Sequence, residues 1–323
     1  MRKLIFLFTL IIIVSCATDE QKKEDTGFIF YYFEGYAGER GGLYAAYSYD
    51  LKTWQPLGQK LIAPTIGEWK VFRDPCVIKK DSIYHLIWTT GKSGYGYANS
   101  KDGLNWGNEK FVTVADTSLG LEFANVWAPE FYVENDSIYV IWSSTLIEDY
   151  VPPKDSAKWW TSTWNHRFYY HSTTDFEQFT PTRKFWDAGF KSIDAVVHKT
   201  DSLYYLFFKD ERKSGKNVVL AHSEQLTGPY ENIHDIGYKL TEGAVPVQTD
   251  TALVLYYDYY HEYNGYRFMT TIDMKKWSGE IMPVKKGFDD VIRHGSIVKV
   301  KLKTLEEMKE LAGLGVKDGT KKN

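Results

Sequence analysis

The amino-acid sequence predicts an all-β protein, a five-bladed β-propeller in which one blade is closed by N- and C-terminal strands. Three observations carry that expectation. Polar residues open short apolar runs at five places: Arg73-Asp74-Pro75 before Cys76-Val77-Ile78, Trp127-Ala128-Pro129-Glu130 before Phe131-Tyr132-Val133, Ser192-Ile193-Asp194-Ala195 before Val196-Val197, Thr241-Glu242-Gly243-Ala244 before Val245-Pro246-Val247, and Arg293-His294-Gly295-Ser296 before Ile297-Val298. The openings recur at about 50 to 60 residues, and a period of that size filled with short strands marks a propeller. Between openings the chain keeps a four-strand rhythm, and the incomplete pieces at its two ends add up to one more unit.

In chain order, residues 1–16 read as a targeting segment. Arg2 and Lys3 precede an apolar run, 4–14, that is too short to span a bilayer. Val14-Ser15-Cys16-Ala17 then places a cysteine after a small residue, which resembles a bacterial lipoprotein signal. Cys16 would carry the lipid and become the first residue of the mature chain. Residues 17–26 are polar and charged, a flexible tether. The expected location is the cell envelope, anchored by lipid at the outer membrane or in the periplasm, with a monomeric propeller over 27–323. With Cys16 so used, Cys76 has no partner for a disulfide and reads as a small buried thiol.

Residues 27–33, 42–48 and 50–54 supply three strands and no opening one. The unit from Asp74 gives 77–78, 82–88 and 94–100, then Asp102-Gly103-Leu104-Asn105 as a turn signal with an aromatic fourth strand at Trp106. The unit from Glu130 gives 131–133, 138–143, 167–172 and 175–179. The unit from Asp194 gives 196–197, 203–208, 218–223 and 226–230, and that from Glu242 gives 245–248, 252–257, 266–271 and 273–277. Residues 295–300 supply an opening strand with nothing after it. They complete the first unit and close the ring, which removes an exposed sheet edge. Thr304-Leu305-Glu306-Glu307 reads as the capping signal of a short helix on the barrel wall.

Composition narrows the function classes. The formal net charge of -3 gives no basic footprint for nucleic acid. Aromatic residues reach 16%, which suits sheet packing on strands and sugar stacking on loops.

In a propeller the five openings converge at one end of the axis. The loops after the second strands frame them: 89–93, 144–166, 209–216 and 258–263, joined by 33–36. The longest loop carries Tyr150, Trp159, Trp160 and Trp164, and Trp160 is a candidate sugar-stacking residue. Asp74, Asp194 and Glu242 then face one pocket from three blades. Glycosidic cleavage needs such an arrangement: a protonated carboxyl for the leaving oxygen and an ionised one to activate water or attack. A third carboxylate raises the acid's pKa by repulsion. Taken singly, each acid has a bland reading as a turn or strand-capping residue.

With these motifs the chain resembles glycoside hydrolase family 43, the five-bladed propeller glycosidases, from about residue 72 to 300 with 27–54 completing it. The resemblance implies roles for the matching residues. The Asp-Pro at Asp74 would hold the general base. The Trp-Ala-Pro-acid motif is Trp127 to Glu130. Asp194, in Ile-Asp, would tune and orient the acid. Glu242, in Glu-Gly, would be the general acid. His294 would stand near the axis, linked through water to a structural calcium ion, with no cofactor needed for the chemistry. Arg73, where His is frequent, and Ala195 and Ala244, where Pro is common, depart from the pattern without removing a carboxylate. The family inverts, which implies carboxyl groups roughly 6.5–9.5 Å apart.

Supporting roles stay open. Arg293 hydrogen-bonds a substrate hydroxyl or bridges to a neighbouring carboxylate. Lys209 orients Asp194 or contacts the sugar. Trp127 and Glu130 are candidate substrate contacts, Glu130 alternatively bonding backbone donors at the axis. For His294, a satisfied buried histidine is the other reading. The expected function is an envelope glycosidase cleaving α-L-arabinofuranosyl, β-D-xylosyl or galactosyl linkages in oligo- or polysaccharides. The alternative is a non-catalytic glycan-binding propeller. A β-fructosidase or a phosphorylase is a third class, but no basic cluster is laid out for phosphate.

Overall fold

A computed structural model of the chain describes residues 26–34, 41–58, 60–116, 119–155, 163–260, 266–281 and 292–314. The chain begins with β1 (Thr26–Phe33), β2 (Leu43–Ser48) and β3 (Gln55–Pro56). The Asp74 blade follows, β4 (Arg73–Lys80), β5 (Ile83–Thr89), β6 (Gly94–Ser100) and β7 (Gly107–Thr113). The Glu130 blade is β8 (Trp127–Glu134), β9 (Ser137–Ser144), β10 (Arg167–Thr173) and β11 (Arg183–Trp186). The Asp194 blade is β12 (Ser192–Lys199), β13 (Tyr204–Asp210), β14 (Asn217–Ser223) and β15 (Glu231–Lys239). The Glu242 blade is β16 (Thr241–Gln248), β17 (Leu253–Tyr259), β18 (Tyr266–Thr271) and β19 (Ser278–Ile281), after which come β20 (Arg293–Lys301) and α1 (Leu302–Leu311).

Each blade is one antiparallel four-stranded sheet, and the fifth has the order β20-β1-β2-β3. β1 pairs with β2 on one side and with β20 on the other, so Phe30 lies opposite both Ala46 and Ile297. The two ends of the chain therefore close the ring, as expected, and the innermost strand of the closing blade is the one that arrives last. The five innermost strands pack in a circle, β4 on β8, β8 on β12, β12 on β16, β16 on β20 and β20 back on β4.

The core is not one cluster but five wedges, one between each pair of neighbouring blades. Wedges widen away from the axis and need large side chains to fill them to native density. This is where much of the aromatic content goes. Trp54, Trp88 and Trp142 are fully buried, and Phe72 stacks on Trp88 with ring centroids 4.9 Å apart. Cys76 is a free, buried thiol in one of these wedges.

Two expectations need correction. The segments assigned to fourth strands, such as Trp106, 175–179 and 273–277, precede the real ones, which start at Gly107, Arg183 and Ser278. The reason is local side-chain chemistry. Asp102 Oδ1 accepts from the amides of Leu104 and Asn105 at 2.9 and 2.8 Å, while Ser100 Oγ accepts from Gly103 N at 2.9 Å. Ser48 with Asp50, Thr173 with Asp175 and Thr271 with Asp273 repeat the arrangement. These bonds satisfy the backbone in a turn and postpone the strand. The helix also begins earlier than its expected cap. It runs straight out of β20 from Leu302, no side chain caps it, and Thr304 lies inside it. Packing fixes it instead: Leu305 and Met308 are buried, and a Cβ on Gly27 would stand 2.4 Å from Leu305 Cδ2.

Candidate active site

Every innermost strand opens with the same irregularity. Arg73 to Cys76, Trp127 to Glu130, Ile193 to Val196, Glu242 to Val245 and Arg293 to Ser296 each carry one residue more than the strand beside them. Such a bulge turns side chains away from the sheet. Asp74, Ala128, Asp194 and Gly243 sit in the left-handed region there, with φ of 51°, 43°, 58° and 60°. Aspartate tolerates this conformation better than most residues, and glycine adopts it freely. At Gly243 a Cβ would also lie 2.2 Å from His294 Cγ.

The shared register sorts the site into rows. The outermost row is Arg73, Trp127, Ile193, Glu242 and Arg293. The next is Asp74, Ala128, Asp194, Gly243 and His294. The deepest is Cys76, Glu130, Val196, Val245 and Ser296. Asp74 and Asp194 thus occupy equivalent positions, and Glu242 stands one row above them, nearer solvent.

His294 ties the two lower carboxylates to the upper one. Its Nε2 is 3.2 Å from Asp74 Oδ1, a close ionic contact without hydrogen-bond alignment. Asp74 Oδ2 accepts from Thr89 Oγ1 at 2.8 Å, and the same hydroxyl accepts from Ala128 N on the next blade. Asp194 Oδ2 accepts from Gly243 N at 3.1 Å, and Asp194 N donates to Ser143 Oγ. Burial alone would lower the pKa of His294, but Asp74, Asp194, Glu242 and Asp258 around it raise it on balance. Burial pushes Asp194 up to about 6, with His294 opposing and Glu242 reinforcing.

Glu242 is clamped. Lys209 Nζ donates to its Oε2 at 2.5 Å, and an Arg293 NH2 donates to Oε1 at 2.6 Å. Burial would raise this carboxyl, but Lys209, Arg293 and His294 together hold it well below the usual range. Arg293 also donates from Nε to Asp258 Oδ2 at 2.6 Å, so it makes the bridge to neighbouring carboxylates that was one of its two expected roles. Lys209 reaches Glu242 and, at 2.7 Å, Glu211, rather than hydrogen-bonding Asp194. Glu130 lies deeper, hydrogen-bonded to the Cys76 thiol, and burial pushes it up to about 8. Trp127 packs against Trp164 and His166 at centroid distances of 5.2 and 4.7 Å, and Tyr150 against Trp164 at 4.4 Å. Trp160 and Trp159 lie outside the described residues.

Glu242, Asp258 and His294 offer ligand atoms within 4.8 Å of one another. The guanidinium of Arg293 already occupies both carboxylates, and imidazole is a poor partner for a hard cation. As they stand these three residues do not fit a directly coordinated calcium ion. Asp258, Glu211 and Thr89 were not singled out from sequence. Their one signal was position, at or just beyond the ends of second strands on this face. A cleft of ≈ 540 Å³, at His198, Lys199, Thr200, Asp201 and Gln248, lies at the far ends of β12 and β16.

A five-bladed propeller whose innermost strands bring acids together at their openings belongs to a known class. The chain is a member of a family related to glycoside hydrolase family 43, described as a probable glycosyl hydrolase domain, which matches residues 24–306. No curated protein sequence matches. Among solved structures the chain is similar to a thermostable family-43 glycoside hydrolase, at 16% identity over 64% of this chain and 71% of that one, with a TM-score of 0.50. It is similar to an α-L-arabinofuranosidase from Lactobacillus brevis, at 15% identity over 65% and 72%, TM-score 0.50. It is also similar to the catalytic domain of a family-62 α-L-arabinofuranosidase from Coprinopsis cinerea, at 14% identity over 74% and 77%, TM-score 0.51. At these identities the likeness is one of fold.

Proposed function

We propose that the chain is an inverting glycoside hydrolase that removes α-L-arabinofuranosyl or β-D-xylosyl residues from oligo- or polysaccharides. The observation that carries this reading is the convergence of Asp74, Asp194 and Glu242 on His294 from three separate blades. Asp74, buried and oriented by Thr89, is the base that activates water. Glu242, nearer solvent, gives its proton to the leaving oxygen. Asp194 holds the Gly243 amide and adds negative charge beside Glu242. A sugar filling the well displaces water, and desolvation then favours the protonated form of Glu242. Family membership and the fold of the solved relatives support the reaction class.

Aryl arabinofuranosides, xylosides and galactosides test the reading. Asp74→Asn and Glu242→Gln are each expected to lower turnover by ~10²- to 10⁴-fold, the usual weight of one acid–base group, in proteins that still fold. Full activity in either amide variant sinks the assignment. The ionised, doubly clamped Glu242 favours a second reading, a glycan-binding propeller. Wild-type affinity for arabinoxylan without turnover on any of these substrates would select it.

The lipid anchor is proposed on the Val14-Ser15-Cys16-Ala17 motif alone, and it places the enzyme in the cell envelope. Radiolabelled palmitate fed to expressing cells is expected to label the wild type and not Cys16→Ser. Among the described residues no helix is long and apolar enough to cross a membrane.

A further inference from the structure

Two carboxylates compete for one buried ammonium beside the strand openings. Lys209 Nζ lies 2.5 Å from Glu242 Oε2 and 2.7 Å from Glu211 Oε1, and its side chain is only 6% exposed. Glu211 is anchored independently, because Lys216 Nζ holds its other oxygen at 2.7 Å. Only the end of Lys209 has to move for the ammonium to leave Glu242 and rest wholly on Glu211. Glu211 Oε1 has no aligned hydrogen bond in the present arrangement, so it has room to accept one.

The chemistry gives this pair a use. An inverting acid is an anion just after it has protonated the leaving group, and it must regain a proton from solvent before the next turnover. The clamped, ionised Glu242 corresponds to that spent form. Two cations hold it, and they are not alike. Arg293 is also committed to Asp258 through a second nitrogen. Lys209 is the one with an alternative seat.

We propose that Lys209 is a positioning residue that governs when Glu242 carries its proton, and that Glu211 is the seat to which its ammonium withdraws. The inference rests on Glu242 being the general acid. On withdrawal Glu242 takes a proton from water and faces the leaving oxygen. After cleavage the ammonium returns to the new carboxylate. The other charged and titratable groups facing this pair are consistent with that cycle. Lys209 lies over the Tyr260 ring at 4.6 Å and feels Asp194. Glu242 faces Arg293 and His294 and lies beside Asp258 and Asp194. Glu211 faces Lys216 and, more remotely, the buried His166. Burial opposes the charge on Lys209, but Glu242 and Glu211 outweigh it, so the side chain stays an ammonium throughout.

The test is the pH dependence of kcat/KM in four proteins. Activity falls on the alkaline side as Glu242 loses its proton. In Lys209→Met that limb is expected to move to higher pH by about one unit or more, the usual effect of one opposite charge at this range. In Glu211→Gln, which leaves Lys209 no seat but Glu242, it is expected to move to lower pH. The double variant is expected to match Lys209→Met, since Glu211 acts through the lysine. Lys209→Arg, which keeps the charge, controls for misfolding. An alkaline limb unmoved in a folded Lys209→Met overturns the proposal. So does a double variant displaced from Lys209→Met by the full Glu211→Gln effect. The carboxylate infrared band of Glu242, assigned with Glu242→Gln and titrated without substrate, reads the same shifts. A band that moves as expected in a protein that hydrolyses nothing would retain the Lys209–Glu211 coupling while removing the hydrolase reading.

Discussion

Glu130, half-buried, shows what a single acid does to the whole protein. It sits in the deepest row beside the Cys76 thiol, with burial raising it to about 8. An unfolded glutamate titrates near 4.3 (about the model-peptide value). Between these values the unfolded chain has released its proton and the folded chain keeps it. Stability therefore falls as pH rises through that window. Glu130→Gln removes the linkage. Its thermal midpoint is expected to decline less than that of the wild type between pH 5 and 8, and an equal decline in both would show that Glu130 is not the source. Glu242 has the opposite sign. Lys209 and Arg293 keep its folded form ionised, so its contribution is present above the ordinary glutamate range and is lost as acid protonates it.

At the scale of elements, the bulged strand opening is the unit that the sequence shows most plainly. Asp-Pro and Glu-Gly each place an acid beside a residue that suits an irregular backbone, and in Ile-Asp the aspartate itself takes the left-handed conformation, so period plus polarity is enough to find them. The partners are harder to see. Asp258 looks like any aspartate ending a strand, and its function as a seat for Arg293 depends on a contact across 35 residues. Glu211 is one of several charges in Lys209-Asp210-Glu211-Arg212, and only Lys216 and Lys209 distinguish it. The fourth strands were misplaced because a serine or threonine two residues before an aspartate makes a turn that carries an aromatic residue at its end, and aromatic content alone reads as strand. The helix makes a sharper case. Gly27 allows Leu305 to lie against β1. Gly27→Ala is expected to cost ~1–3 kcal/mol by overpacking, measured by denaturant unfolding, whereas Gly107→Ala, with open space around it, tests that the loss is steric rather than a general effect of removing glycine.

For the whole molecule the decisive feature is that five wedges share one ring. No wedge has both walls unless its two neighbouring blades are in place, so stability is expected to be cooperative around the circle. A variant ending at residue 291 lacks β20 and leaves the closing blade without its innermost strand. It is expected to show no cooperative transition by calorimetry. Survival of a normal transition would mean that the other four blades stand without closure.

β20 also has a bearing on timing. It brings Arg293 and His294, the groups that neutralise Glu242, Asp258 and Asp74, and every other member of the constellation is synthesised before it. A nascent polypeptide halted short of this strand would keep Thr89 on Asp74, the Gly243 amide on Asp194 and Lys209 on Glu242, but would lack the two cationic groups that bind Glu242, Asp258 and Asp74 together. On the function proposed above, competence and ring closure would arrive in the same event, the docking of β20 against β1.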